Sequence, residues 1–171
     1  AKGHGVPEVI GAIVFRGGVI RPIVAAVKIT ASAITIGFGG SVGREGPIVQ
    51  IGAALASTVG QWLHFSPQRM RTLLGCGAAA GIAATFNAPI AGALFAIEVI
   101  VADIRNLNMP AIVISAVVAT VVSRHYLGDF PAFHVPAYQM VSSMELSLYA
   151  VLGLLAGLAA VLFMLLLRGR I

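Results

Sequence analysis

Seven apolar stretches, at about residues 8–15, 22–36, 47–63, 67–86, 89–102, 110–123 and 145–167, are separated by short connections except at residues 124–144. Of the 171 residues 58% are apolar and only 10% charged, against roughly 25% charged in soluble domains. There is too little polar material to cover a globule of this size, so the lipid bilayer is the expected solvent. At about 20 residues per span the chain holds about six segments, predicting an all-α polytopic membrane protein in one transmembrane bundle over residues 1–171. The first residue is Ala1 and the last apolar run stops at Arg168, Arg170 and Ile171. Both ends read as cut, and a fragment is expected.

The stretches are uneven. The second and third reach only about 22–26 Å at 1.5 Å per residue, short of a hydrocarbon core of roughly 30 Å, which predicts broken or tilted helices. Between them lies Gly37-Phe38-Gly39-Gly40-Ser41-Val42-Gly43-Arg44-Glu45-Gly46-Pro47, too rich in glycine for a stable helix and without the composition of a polar loop. Irregular backbone at membrane depth persists only where protein buries it or where it lines a wet cavity. Residues 124–144, with Arg124, His125, Asp129, His134, Pro131 and Pro136, read instead as a solvent-exposed loop.

Apolar runs follow Val6-Pro7, Gly46-Pro47, Ser66-Pro67, Ala88-Pro89 and Met109-Pro110, and proline suits a first helical turn because its missing N–H has no intrahelical partner there. At Ser66 and Met109 an ordinary start at the membrane edge suffices. The other three lie in glycine-rich or apolar surroundings and suggest helix N-termini inside the bilayer. Such an end offers unpaired N–H groups and about half a positive charge, and away from water it becomes a selective anion site. Lys28, inside Val24-Ala25-Ala26-Val27-Lys28-Ile29-Thr30, adds a positive potential along an anion path, the alternative being a lysine that snorkels to an interface. Glu45 would compete with a permeant anion for the same N–H groups. Protonating it or swinging it aside frees the site, which makes it a gate, the alternative being a plain Arg44–Glu45 surface pair.

Other readings are weaker. The net charge of +5 resides mostly in residues flanking apolar runs, with no basic stripe interleaved with aromatics, so no nucleic-acid partner is expected. Cys76 is the single cysteine and reads as packing. Gly77-x-x-x-Gly81 and Gly153-x-x-x-Gly157 are small-residue faces that let helices approach. An enzyme is not expected: the sequence has no His-Glu-x-x-His, no Gly-x-Ser-x-Gly, and no Gly-Lys-Ser/Thr ending to its glycine stretch. No metal or cofactor is called for. A non-transporting membrane scaffold accounts for the hydrophobicity but not for Lys28 and the Arg44–Glu45 pair at broken helices.

Three motifs in order, Gly3-His4-Gly5-Val6-Pro7-Glu8, Gly43-Arg44-Glu45-Gly46-Pro47 and Gly81-Ile82-Ala83-Ala84-Thr85-Phe86-Asn87-Ala88-Pro89-Ile90-Ala91-Gly92, closely resemble the CLC family of chloride channels and chloride/proton exchangers. The resemblance runs from residue 2 to about 165 and implies part of an inverted repeat of broken helices: the middle of the first half of a subunit and the start of the second. It implies a multi-pass protein of the cell membrane that works as a homodimer, with helices near 88–102 and 109–125 at the contact. The transported ion it implies is chloride or another small anion. By the same resemblance Glu45 is the gate, and His4, Gly5, Arg44, Gly46, Pro47 and Ile48 line the anion site.

His4 stands where the family usually has serine; imidazole still donates to an anion and can become cationic near neutral pH, the alternative being a ring turned away from the pore. Proton-coupled members usually carry a second glutamate just after the position of Glu98, and here that residue is Val99. Passive conduction in a voltage-gated-type channel is therefore preferred to chloride/proton antiport. Glu98, near Asp103 and Arg105, reads as a structural ion pair or a proton stop. A later Gly-x-Phe-x-Pro helix start and a tyrosine of the second half, which complete the family's anion site, are not found, so these residues alone are not expected to conduct selectively.

Overall fold

The computed structural model describes residues 5–101, 108–129, 142 and 144–168. They divide between two compact units, residues 1–133 and 134–171. In the first unit the helices are α1 (Val6–Phe15), α2 (Ile23–Gly37), α3 (Glu45–Trp62), α4 (Pro67–Phe86), α5 (Pro89–Phe95) with a π-helical continuation (Ala96–Val101), and α6 (Met109–Leu127). The second unit contributes α7 (Glu145–Arg168). No strand occurs among the described residues.

Each of the five proline signals lies in the first turn of a helix: Pro7 of α1, Pro47 of α3, Pro67 of α4, Pro89 of α5 and Pro110 of α6. The glycine-dense stretch is non-helical from Phe38 to Arg44, between α2 and α3. With 10 residues in α1 and 15 in α2, these helices extend only about 15 and 22 Å. By contrast α6 and the Glu145–Leu166 part of α7 are long and apolar enough to cross a bilayer. Two expectations are corrected. Arg124 and His125 sit in the last turn of α6 and not in a loop, while residues 130–141 lie outside the described part. The apolar run 89–102 is not one α-helix, because it widens into a π-helix at Ala96, a change in hydrogen-bond ring that leaves no mark on apolar periodicity.

The core is built around α4, on which α1, α3, α5, the π-helical turn and α6 all pack. Its buried face is Met70, Leu74, Gly75, Ala78, Ala79, Ile82 and Ala83, small enough for backbones to meet. A Cβ on Gly52 of α3 would run into the carbonyl oxygen of Gly77, and one on Gly81 would lie 2.9 Å from Ile48 Cγ2. These antiparallel contacts set the end of α4 beside the start of α3. They use the Gly77-x-x-x-Gly81 face as expected, whereas Cβ atoms on Gly153 and Gly157 of α7 would meet nothing within 4 Å.

Helix α6 runs parallel to α4, because Ser115 Oγ donates to the Cys76 carbonyl at 3.0 Å and Ser123 Oγ to that of Ala84 at 2.9 Å, a constant offset. The α1–α2 connection is tied to α3 by Ser57, which accepts from Ile20 N–H at 2.9 Å and donates to Gly18 O at 2.8 Å. Gln61 Nε2 completes the tie with a 2.8 Å bond to Ile20 O. In a largely apolar interior such hydrogen-bonded polar groups are strongly position-specifying.

Candidate anion site

Two helix N-termini meet at Gly5 and Gly46. Gly5 caps α1 at φ 53°, ψ −114°, a region that residues with a Cβ rarely adopt. A Cβ there would lie 2.9 Å from Gly46 Cα and 3.0 Å from Gly46 C and O. Backbone therefore touches backbone at the starts of α1 and α3, and the two helices run side by side in the same direction from that point. Farther along, Gln50 of α3 bonds Glu8 of α1.

Neither helix has a side-chain cap. Val9 N–H reaches Gly5 O at 3.4 Å and Ile48 N–H reaches Arg44 O at 3.2 Å, the first intrahelical bonds. The donors of Val6 and Glu8 on α1, and of Glu45 and Gly46 on α3, thus have no intrahelical acceptor. Of the positions predicted for the anion site, Gly5 and Gly46 form the meeting point. Pro47 carries no N–H, and the Ile48 N–H is spent inside its helix. His4 lies outside the described residues.

Glu45 is the first residue of α3 and is exposed. Its carboxylate folds back over Gly43, into the space a Cβ there would need. Arg44 makes no ion pair with it: the guanidinium stacks over Phe86, 5.5 Å from the ring centroid. That cation–π contact brings the third motif to the second. Directly after Phe86, Asn87 ends α4 in the left-handed conformation at φ 54°. Its side chain accepts from Arg124 Nε at 2.6 Å and donates to Asp129 Oδ1 at 2.8 Å, and Arg124 and Asp129 are 3.2 Å apart. Lys28 lies half-buried in the middle of α2, which packs on α3. A groove of about 460 Å³ beside the α3 start has Arg44, Pro47 and Ile48 among its otherwise mostly apolar walls. Its one hydroxyl, Ser32 Oγ, is engaged with Lys28 O at 2.6 Å. Glu98 and Val99 are exposed on the π-helical turn, and the partners expected for Glu98, Asp103 and Arg105, lie outside the described residues.

Sequence reasoning missed one pair. Gln50 is fully buried in α3, its Nε2 donates to Glu8 Oε2 at 2.9 Å, and its Oε1 has no partner. The signal was available: an amide in the middle of an apolar run demands a partner, and Glu8 closes the first motif.

The family model described as "Voltage gated chloride channel" matches residues 1–169. The chain belongs to the CLC family. It is an all-α integral membrane protein of that family, in which the short helix α1 and helix α3 touch at their N-termini. The chain is 42% identical over 150 residues to the chloride channel protein CLC-e of Arabidopsis thaliana, a match covering 83% of the chain and 21% of that relative. It is 37% identical over 164 residues to a ClcB-like protein of Ralstonia nicotianae, covering 94% of the chain and 38% of the relative. With the H(+)/Cl(-) exchange transporter ClcA of Vibrio parahaemolyticus it shares 36% identity over 170 residues, 95% of the chain and 36% of the relative. The chain thus spans less than two fifths of the length of these CLC relatives.

Proposed function

We propose that this chain supplies the gate and part of the anion site of a CLC subunit that conducts chloride or another small anion across the cell membrane. The observation that carries the reading is the backbone contact of Gly5 with Gly46, which brings two uncapped helix N-termini together with Glu45 on the first turn of one of them. Unpaired N–H groups and two converging helix dipoles attract an anion and offer it several donors in place of its hydration shell. The Glu45 carboxylate, on a short flexible side chain at that mouth, is the natural competitor and hence the gate. Lys28 and Arg44 raise the local potential without binding the ion tightly, which favours throughput. Helices α5 and α6 present apolar side chains outward, Ile90, Ile114 and Val121 among them, as a subunit does that pairs with a second copy within lipid.

Channel conduction is preferred because Val99 occupies the position of the inner glutamate of proton-coupled members. Antiport is the second reading, supported by the likeness to exchangers such as ClcA of Vibrio parahaemolyticus. The test is chloride and proton flux in liposomes holding the full-length subunit, beside Glu45→Gln. Chloride flux without proton movement, altered in Glu45→Gln, is the expected result. A chloride gradient that drives protons uphill, with coupling lost in Glu45→Gln, would establish antiport instead, and absence of flux for any anion would leave a scaffold.

A further inference from the structure

We propose that Gln50 keeps the mouth of α1 open to the anion by holding Glu8 aside, so that this pair, part-buried between α1 and α3, sets anion affinity; the inference rests on the anion-pathway reading above. Glu8 is the third residue of α1 after its cap, Gly5. A glutamate at that position ordinarily reaches back to the backbone N–H of the capping residue and closes the end of its own helix. Here it does not: α1 has no side-chain cap, and Glu8 Oε2 accepts instead from Gln50 Nε2 at 2.9 Å, across to α3. Gln50 is fully buried, so its donor is held rigidly by packing and has no water to bond in its place. The residual acceptor Oε1, buried and without a partner, marks the amide as placed for Glu8 and not for its own satisfaction.

Glu8 released from Gln50 has donors to turn to in the N-terminal N–H groups of its own helix, which adjoin the Gly5–Gly46 contact. There its carboxylate is an internal competitor for the anion, on the opposite helix from Glu45. The two carboxylates thus divide the work. Glu45 is at a free end and moves, whereas Glu8 is tethered and stays away.

The test measures chloride binding by titration calorimetry on the purified full-length subunit in detergent, with thermal unfolding of each variant alongside. Gln50→Met removes the tether, and chloride affinity is expected to fall on the order of tenfold, the scale of a charge placed at a partly buried helix end. Glu8→Gln with the tether intact is expected to bind chloride at least as tightly as the wild type. Its amide still accepts from Gln50 Nε2 and can donate to the orphaned Oε1. The decisive arm is the double variant Glu8→Gln, Gln50→Met, in which affinity is expected to return to the wild-type range although the packing defect at position 50 persists. A double variant as weak as Gln50→Met, or a Gln50→Met with wild-type affinity, would overturn the inference. A wild type that binds no chloride would overturn the anion-pathway reading beneath it. Should Gln50→Met fail to fold, Gln50→Asn withdraws the donor by one methylene, keeps the position polar and is expected to show the same ordering.

Discussion

Gly5→Ala tests the geometry on which the site depends. The new Cβ would start 2.9 Å from Gly46 Cα. Ordinary contacts begin near 3.4 Å, so the starts of α1 and α3 must separate by about 0.5 Å, enough to forfeit a quarter or more of each dispersion contact across the seam. The neighbour is backbone on an 18-residue helix and cannot rotate away as a side chain can. Overpacking of this kind costs about 1–3 kcal/mol, and holding alanine in a backbone region it rarely visits adds a further ~1–3 kcal/mol. The sum of roughly 2–6 kcal/mol is a large share of the 5–15 kcal/mol that typically separates folded from unfolded protein. Gly46→Ala is the internal control. That residue is helical, its Cβ would lie 3.8 Å from Gly5 Cα, an ordinary contact, and alanine gains up to about 1 kcal/mol of helix propensity. Thermal unfolding of the full-length subunit in detergent should show Gly5→Ala markedly destabilised and Gly46→Ala close to wild type. Equal stabilities for the two variants would refute the backbone-to-backbone meeting of α1 and α3.

Ser57→Ala strips the acceptor from Ile20 N–H and the donor from Gly18 O, both in a buried network, and should cost about 1–3 kcal/mol, read as a lowered unfolding temperature with faster amide exchange at Ile20. Asn87→Ala loses the bridge to Arg124 and Asp129 and strains the left-handed backbone at φ 54°, for roughly 2 kcal/mol in all. Asn87→Gly should recover the backbone share and leave only the loss of the bridge, so the order wild type, Gly, Ala in unfolding temperature is the expected result.

Much of the site was legible because its determinants are local. A proline in a first turn, a glycine run that no helix tolerates and a glutamate at its end are each settled within a few residues, and the helix starts at Pro67, Pro89 and Pro110 follow from them. The seat of Arg44 was not legible. Whether its guanidinium pairs with adjacent Glu45 or stacks on Phe86, 42 positions away in the chain, depends on the antiparallel packing of α3 on α4. The π-helical turn was hidden for a different reason: Ala96-Ile97-Glu98-Val99-Ile100-Val101 has the composition of an ordinary apolar helix, and only the hydrogen-bond register distinguishes the two.

The sequence by itself determined that the chain belongs in lipid, where its helices begin, and that the backbone must break between α2 and α3, since each follows from hydropathy, proline and glycine acting over one or two turns. The tertiary structure decided what those breaks face. The glycine faces of α3 and α4 admit backbone-to-backbone approach, and the part-buried Glu8–Gln50 bond ties α1 to α3 beyond the point where Gly5 meets Gly46. Two helix ends remote in sequence meet there, because contacts that close depend on how α1, α3 and α4 pack together and not on any local signal.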